Sequence, residues 1–304
     1  MLKIVFMGTP SFSVPILEAL IEKYQVALVV TQPDKEVGRK REIVESPVKK
    51  CAKEHGIPVF QPENIRKDYQ PIIDANPDLI VTAAFGQIIG TKVLNYPKYR
   101  SINVHASLLP KYRGGAPIHY SVINGDSETG VTIMYMEKAM DAGDILSQRA
   151  IPILEEDTTG SMFEKLSLVG RDLLMETIPS LINGEITPIK QNPDEVTYAY
   201  NITKEEEYLD LNKEANILYN QIRGLLPVPG AYMMLKGDNI KVYSAKVSDM
   251  SHNKEVGTII NKTKKYFTVA CGNKTALDIY ELQVSGKKRV FASDFVNGGL
   301  AKYM

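Results

Sequence analysis

Asn103 and His105 stand two residues apart in the run S-I-N-V-H-A-S-L-L-P-K-Y-R-G-G-A-P, Ser101 to Pro117. Ser101 to Val104 reads as a short buried strand, and residues two apart on a strand share a face. An amide and an imidazole therefore project together at a strand's C-terminal end, where open α/β sheets place their ligands. The amide can donate a hydrogen bond to a developing oxyanion, and the imidazole can donate or carry a proton near neutral pH. Further on, Met140-Asp141-Ala142-Gly143-Asp144 sets two carboxylates in a turn-like segment. The combination suggests an active site with neither a metal cage nor a covalent nucleophile. A Ser-His-Asp hydrolase using Ser101 or Ser107 would need a Gly-x-Ser-x-Gly elbow, and none occurs. Asp141, Asp144 and His105 lack the second histidine of the common metal-ligand sets. The bland alternative is a hydrogen-bonded pair at a strand end with no catalytic role.

The elements that must carry these residues follow a strand–helix–strand rhythm. Leu2 to Phe6 is an apolar run broken only by Lys3, and it feeds the tight turn Met7-Gly8-Thr9-Pro10. Ser11 or Ser13 can cap the next helix, with Pro15 in its first turn and Ile16, Leu17, Leu20 and Ile21 as its stripe. Val26 to Val30 is a second buried strand, so the chain opens on a βαβ unit and a parallel sheet. One glycine in the first turn is too few for a dinucleotide fingerprint. Thr31 to Pro47 is polar with a basic tip, Gly38-Arg39-Lys40-Arg41. It is either a solvated loop or a mobile arm gripping RNA phosphates. A helix from Pro47 to His55, a short strand at Val59-Phe60 and a helix over 65–75 lead to a central strand, Leu79 to Phe85. Ile88 and Ile89 after it read as core residues of a βα turn.

His119, in a helix after Ala116, reads as a surface or packing histidine. Strands follow at Val131–Met136 and Ile145–Ile153. Asp157 or Thr158 then caps a helix that Pro179 breaks or restarts and Gly184 closes. Gln191 to Glu207 is polar and aperiodic, with Tyr198 and Tyr200 packing locally. Asn212 is placed to cap a helix carrying Ala215, Leu218, Tyr219 and Ile222. From Ala231 onward, short alternating runs separated by turns give a small β-barrel pattern.

Composition narrows the class. The chain has 304 residues, enough for two domains, and 36 basic against 36 acidic side chains. Residues 1–206 hold 22 basic and 27 acidic residues, a net of −5, and 207–304 hold 14 and 9, a net of +5. A basic C-terminal piece on a neutral protein fits a polyanionic partner or chance surface variation. Cys51 and Cys271 are too few for a disulfide framework or a cysteine-rich zinc site. Met1 leads directly into a strand, and no apolar run approaches the roughly 18–20 residues of a membrane span. The expectation is a soluble cytoplasmic protein with no membrane partner.

The run N-V-H-A-S-L-L-P-K-Y-R-G-G-A-P-I, with M-D-A-G-D-I some way after it, resembles the formyltransferases that use 10-formyltetrahydrofolate. The opening F-M-G-T-P, the T-Q-P-D-K and S-P-V-K segments and L-L-P-V-P-G-A-Y extend the likeness over nearly the whole chain. These flanking segments resemble the branch acting on methionyl-tRNA. The resemblance implies an α/β fold with a doubly wound, mostly parallel sheet at residues 1–189. A linker at 190–207 and an OB-like, tRNA-binding β-barrel domain at 208–304 would follow. It implies Asn103, His105 and Asp141 as the catalytic set. Folate would lie against Ser107, Leu108, Leu109 and Pro110 and against Phe85, Gly86, Gln87 and Ile88. Arg39, Lys40 and Arg41 would grip the acceptor end of the initiator tRNA. The family is usually monomeric, and no metal is implied. Formyl transfer to an amine needs a neutral amine, donors for the tetrahedral oxyanion and a proton for the leaving N10. Asn103 can supply the first donor, while His105 and Asp141 can supply and relay protons. Two rivals remain: a sugar-nucleotide N-formyltransferase with the same donor, and a folate- or RNA-binding protein without catalysis.

Overall fold

The computed structural model describes residues 1–38 and 41–303. The chain forms two compact units. One comprises Met1–Pro117, Glu128–Ile151 and Phe163–Tyr200; the other comprises Ile118–Ser127, Pro152–Met162 and Asn201–Met304.

The first unit is built on a seven-stranded sheet. Its strands are β1 (Lys3–Gly8), β2 (Gln25–Val30), β5 (Val59–Phe60), β6 (Leu79–Ala83), β7 (Ser101–His105), β8 (Glu128–Tyr135) and β9 (Ile145–Pro152). Their spatial order is β5-β2-β1-β6-β7-β8-β9. β1 pairs in parallel with β2 and β6, β2 with β5, and β6 with β7, while β8 runs antiparallel to β7. The mostly parallel sheet expected from the sequence is therefore present. Ile4, Val5, Phe6 and Met7 are fully buried, as a strand covered on both faces requires. Burying each such side chain contributes about 1.5–3 kcal/mol relative to exposure.

The chain moves outward from β1 to β2 and β5, then returns to β6 on the other side of β1. That reversal makes the C-terminal ends of β1 and β6 the topological switch point. Gly8 and Ala83 face each other there. A Cβ on Gly8 would stand 2.9 Å from the Ala83 carbonyl oxygen and 2.8 Å from the Ser13 Cβ, so the turn admits only glycine. Helix α1 (Val14–Lys23) has Pro15 in its first turn and buries Ile16, Leu17 and Leu20. Ser13 does not cap it. The buried hydroxyl donates instead to the Ala83 carbonyl at 2.6 Å, tying the start of the helix to the end of β6.

Other local expectations change for physical reasons. Within residues 31–47, β3 (Lys35–Val37) and β4 (Glu42–Val44) pair as an antiparallel hairpin, a pairing not expected from the sequence. Strands of three residues are too short to show an alternation. Helix α2 (Pro47–Glu54) follows, capped by Ser46, whose hydroxyl accepts from the Lys49 amide. Over 65–75 the helix is only α3 (Gln70–Asp74), begun by Pro71. The Ile65 amide donates to the Gln87 side chain rather than to a helical carbonyl. A one-turn helix, α4 (Thr91–Leu94), precedes β7, and α5 (Pro117–Ile123) follows it. Helix α6 (Thr159–Ile182) runs unbroken through Pro179. Ile178 and Leu181 on either side of that proline are buried, and their packing outweighs the single lost hydrogen bond. Of the two candidate caps, Thr158 accepts from the Ser161 amide at 3.2 Å.

In the second unit, α7 (Ala215–Gly224) starts after Glu214 rather than Asn212. Asn212 is held in a turn by the Asp210 carboxylate, which accepts from its amide N–H and its side chain. The expected short strands are present as an antiparallel sheet. They are β10 (Ala231–Leu235), β11 (Asp238–Val247), β12 (Ile259–Lys262), β13 (Phe267–Ala270) and β14 (Ala276–Val284), in the order β10-β11-β14-β13-β12. β15 (Val290–Phe291) pairs with β14 and leads into α8 (Ala292–Gly298). Leu218 and Ile222 of α7 join Phe267, Ile279, Phe295 and Tyr303 in one buried cluster.

Candidate active site

β7 sits between parallel β6 and antiparallel β8, in the interior of the sheet. Asn103 pairs with Thr82 across β6–β7, and the Thr82 hydroxyl donates to Asn103 Oδ1 at 2.7 Å. This bond fixes the amide's orientation: the oxygen is engaged from the neighbouring strand, and the Nδ2 protons are turned away from it. His105 is 5% exposed. Its Nε2 lies 3.0 Å from the Tyr112 carbonyl oxygen, which can only accept, so Nε2 carries a proton. The other nitrogen, Nδ1, is 3.7 Å from Asp141 Oδ2, an ion-pair separation too long for a direct hydrogen bond.

Asp141 has a second partner, for Oδ2 also accepts the Gly114 amide at 2.8 Å. The tertiary fold thus brings Asp141 to His105, while Asn103 is anchored separately by Thr82. Asp144 does not join them; its backbone carbonyl accepts from the Tyr135 amide at 2.9 Å. Tyr112 and Asp141 both adopt left-handed backbone conformations, with φ of 61° and 49°. Such conformations persist in non-glycine residues where the surroundings over-determine them. Among the described residues, no group of three His, Cys, Asp or Glu could hold a metal ion.

The loop after His105 is internally braced. Ser107 is fully buried, and its hydroxyl donates to the Lys111 carbonyl at 2.7 Å, closing the turn around Leu108, Leu109 and Pro110. The Leu109–Pro110 bond is cis. The Thr132 hydroxyl donates to the Ser107 carbonyl at 2.6 Å and accepts the Leu109 amide at 3.1 Å. Gln148 Nε2 reaches both the Leu109 carbonyl and the Thr132 hydroxyl. Leu109 packs with Met134 and Ile145, and half-buried Leu108 lies over Gly130, where a Cβ would come within 2.5 Å of it.

The segment after β6 has a comparable brace. The Phe85 carbonyl accepts from Thr9 Oγ1 at 3.0 Å and from Gln32 Nε2 at 3.2 Å. Gly86 has φ of 87°, and Gln87 uses its side chain to bond the Ile65 amide and the Pro62 carbonyl. F-M-G-T-P and T-Q-P-D-K are therefore the struts of this loop. Ile89 is buried, but Ile88 is 66% exposed and is not a core residue. The left-handed turn at Gly86 redirects the chain just before the two isoleucines, and only the second reaches the core.

At the base of the β3–β4 hairpin, Lys49 Nζ lies 2.6 Å from Asp34 and 3.2 Å from Glu45, and the Thr31 and Ser46 hydroxyls bond each other at 2.8 Å. The Lys49 ammonium, then the Gln61 amide, holds the Asp34 carboxyl below the usual range. S-P-V-K thus clamps the hairpin where it leaves the sheet. Arg41 stands at the tip, its side chain 81% exposed and its Nε 3.7 Å from Glu36. Arg39 and Lys40 lie outside the described residues.

One contributor escaped sequence reasoning. Gln191 lies in what reads as linker, yet its side chain joins two loops of the site. Its Oε1 accepts from Arg113 Nε at 3.0 Å and Nη2 at 2.7 Å. Its Nε2 donates to the carbonyls of Asp141 and Gly143, each at 2.8 Å. Nearby, the Arg113 amide donates to the Thr197 carbonyl, the Ala199 amide to the Arg113 carbonyl, and the Ala116 amide to the Ala199 carbonyl. Gly114, at φ of 125°, lies so close that a Cβ would sit 2.5 Å from the Ala199 oxygen. Tyr198 and Tyr200 stack on each other, with centroids 5.6 Å apart and 1° between planes. No pattern in an aperiodic polar stretch could announce these contacts.

Known proteins match nearly the whole chain. The formyl transferase family matches residues 2–178, and the formyl transferase C-terminal domain family matches 201–300. The methionyl-tRNA formyltransferase of Enterococcus faecalis is 54% identical over 301 residues, 98% of this chain and 96% of that one. The methionyl-tRNA formyltransferase of Lactiplantibacillus plantarum is also 54% identical, over 100% of this chain and 97% of its own. Among solved structures, a sugar 3N-formyl transferase determined with dTDP and 5-N-formyl-THF superimposes with a TM-score of 0.68 at 20% identity, covering 95% and 99% of the two chains. A Helicobacter canadensis N-formyltransferase in complex with folinic acid and dTDP-3-aminofucose gives 0.67 at 21%, covering 92% and 99%. At that identity the structural matches speak for the fold alone.

Proposed function

The chain belongs to the formyl transferase family, and on that premise we infer that it transfers the formyl group of 10-formyltetrahydrofolate to the α-amino group of methionyl-initiator tRNA. The product is formylmethionyl-tRNA for translation initiation. The observation that carries the reading is the 54% identity, over nearly the full length of both partners, to methionyl-tRNA formyltransferases. A sugar-nucleotide acceptor is favoured by no comparable likeness, its matches being 20–21% identical.

The chemistry follows from the substrates. An α-amino group titrates near about 7.7–8.0, and an ester neighbour lowers that, so much of the amine is neutral at pH 7. Its lone pair attacks the formyl carbon, and the carbonyl electrons move onto oxygen. The Asn103 Nδ2 protons are the donors for that oxyanion; engagement of Oδ1 by Thr82 supports this role. The intermediate collapses as the bond from carbon to N10 breaks. The attacking nitrogen gives up a proton, and N10 takes one. His105 and Asp141, relaying through water, are the groups for this transfer. Support comes from the pairing of Nε2 with Tyr112, which leaves proton exchange at Nδ1, beside the Asp141 carboxylate. No covalent enzyme intermediate is required.

The donor's pterin ring is assigned to the braced segments Phe85–Ile88 and Ser107–Pro110. Exposed Ile88 and half-buried Leu108 offer apolar surface, and the loop backbone offers polar groups. The hairpin with Arg39, Lys40 and Arg41 is assigned to the tRNA acceptor end, where cationic side chains meet phosphates. The reading carries with it a cytoplasmic location and a monomeric enzyme, the latter checked by sedimentation of the native chain. The direct test offers 10-formyltetrahydrofolate together with either methionyl-tRNA or an amino-sugar nucleotide. Formylation of the methionyl-tRNA is the expected result; transfer to the sugar alone, or to neither, overturns the reading.

A further inference from the structure

We propose that Gln191 is a positioning residue for the reaction, holding the Asp141 turn and the Arg113 loop in one arrangement around His105. The proposal rests on the catalytic reading of His105 and Asp141 given above.

A glutamine amide has two N–H donors and two acceptor lone pairs. Here all four are used, and they are divided between two loops distant in sequence. Both donors go to the turn that carries Asp141, at the carbonyls of Asp141 and Gly143. Both acceptor positions go to the Arg113 guanidinium. The two loops also touch directly, through the Gly114 amide on Asp141 Oδ2. Gln191 adds a second link between them that does not use the carboxylate.

The turn needs such a restraint. Asp141 holds φ at 49°, and Gly143 is so enclosed that a Cβ would fall 1.9 Å from the Tyr135 carbonyl oxygen. Released, a non-glycine residue tends to leave the left-handed region, which carries its carboxylate away from His105 Nδ1. On the other loop, Tyr112 holds φ at 61° and supplies the carbonyl that fixes the His105 ring. Gln191 therefore bonds to Asp141, which faces one His105 nitrogen, and to Arg113, which adjoins the residue facing the other. The chain on either side of it is fixed as well. Ile189 and Ile145 exchange backbone bonds at 2.8 and 2.9 Å, and the Thr197 carbonyl accepts the Arg113 amide at 2.9 Å.

The chemistry of the amide separates the two halves of the role. Gln191→Glu keeps acceptors for Arg113 but loses both donors and sets a carboxylate against two carbonyl oxygens. Gln191→Ala loses everything. Both variants are expected to lower kcat for methionyl-tRNA formylation about 10–100-fold while the KM values for donor and tRNA change less than about threefold. One limb of the kcat–pH profile is displaced, because the carboxylate facing Nδ1 is no longer fixed. Hydrogen exchange at the Gly114 amide is expected to quicken about tenfold in both variants, with the amides of β1 and β6 unchanged. A Gln191→Glu enzyme with wild-type kcat and pH profile overturns the proposal, since the donors to the Asp141 turn would then be dispensable. So does a loss of activity that is all KM and thermal stability with an unaltered profile, which is what simple unfolding of the segment around Gln191 produces. If the wild-type protein fails to formylate methionyl-tRNA, the functional reading falls instead, and Gly114 exchange alone decides whether Gln191 fixes the turn.

Discussion

Substitutions at two side chains test the proposed acid–base role against a purely scaffolding one. His105 lies 3.7 Å from Asp141 by Nδ1 and is fixed through Nε2 by a backbone carbonyl. Replacing it with alanine removes the imidazole but none of the braces on Ser107–Pro110 or Phe85–Ile88. His105→Ala is therefore expected to lower kcat about 10²–10⁴-fold with little change in donor affinity, measured by steady-state formylation and equilibrium folate binding. Near-normal turnover would remove the imidazole from the mechanism. Asp141→Asn keeps the shape of the turn and an oxygen for the Gly114 amide, but removes the charge. Its kcat–pH profile should lose or shift one limb. If rate and profile both stay as in wild type, Asp141 is a structural brace and nothing more.

The β3–β4 hairpin stands on a clamped base, with Lys49 against Asp34 and Glu45, and exposes Arg41 between its strands. Removing one cation–phosphate pair lowers the magnitude of the log-affinity versus log-salt slope by roughly 0.7–0.9. Replacing Arg39, Lys40 and Arg41 together by alanine should weaken tRNA binding most at low salt and leave folate binding unchanged. Pairing with phosphate alone would affect initiator and elongator tRNAs equally. The ratio of kcat/KM for the two, compared between wild type and Arg39→Ala, decides whether that side chain also selects. A falling ratio marks selection at the acceptor end. Unchanged binding and unchanged ratio in the triple variant would return the hairpin to a plain solvated element.

At the scale of the whole chain, ionisation and stability are coupled. Burial pushes the Cys51 thiol up to about 11 and the Cys271 thiol up to about 12, so both stay protonated at neutral pH and serve as core residues. Burial also holds His119 below its ordinary value of 6.5, partly offset by a bond to the Val228 backbone. The unfolded chain therefore takes up this proton first as pH falls. His119's share of stability is complete above 6.5 and is lost as pH drops towards the lower folded value. The melting temperature should decline as pH falls from about 7 to about 5, and the decline should be shallower in His119→Gln. Equal slopes for the two proteins would show that other groups carry the acid sensitivity. Among the described residues, no helix is long and apolar enough to cross a membrane.

Local signals were sufficient wherever the physics is local. The run from Leu2 to Phe6, the alternation after Ala231 and the two-residue spacing of Asn103 and His105 depend only on strand period and burial. They determined the parallel sheet, the antiparallel second unit and the shared face of the amide and imidazole. Caps and breaks were less legible, because a serine at 13 or a proline at 179 answers to neighbours far along the chain. Ser13 is taken by Ala83, and the break that Pro179 would allow is suppressed by packing on both its sides. The meeting of His105 with Asp141 is implied by the resemblance, but its geometry belongs to the fold. Thr82 orients Asn103 from the next strand, Tyr112 fixes the imidazole tautomer, and Gln191 ties two loops from a stretch with no periodicity. Each of these is a hydrogen bond between polar groups that lie apart in the sequence. Polar side chains in irregular segments leave no repeating pattern in sequence, so only the folded chain decides which of them meet.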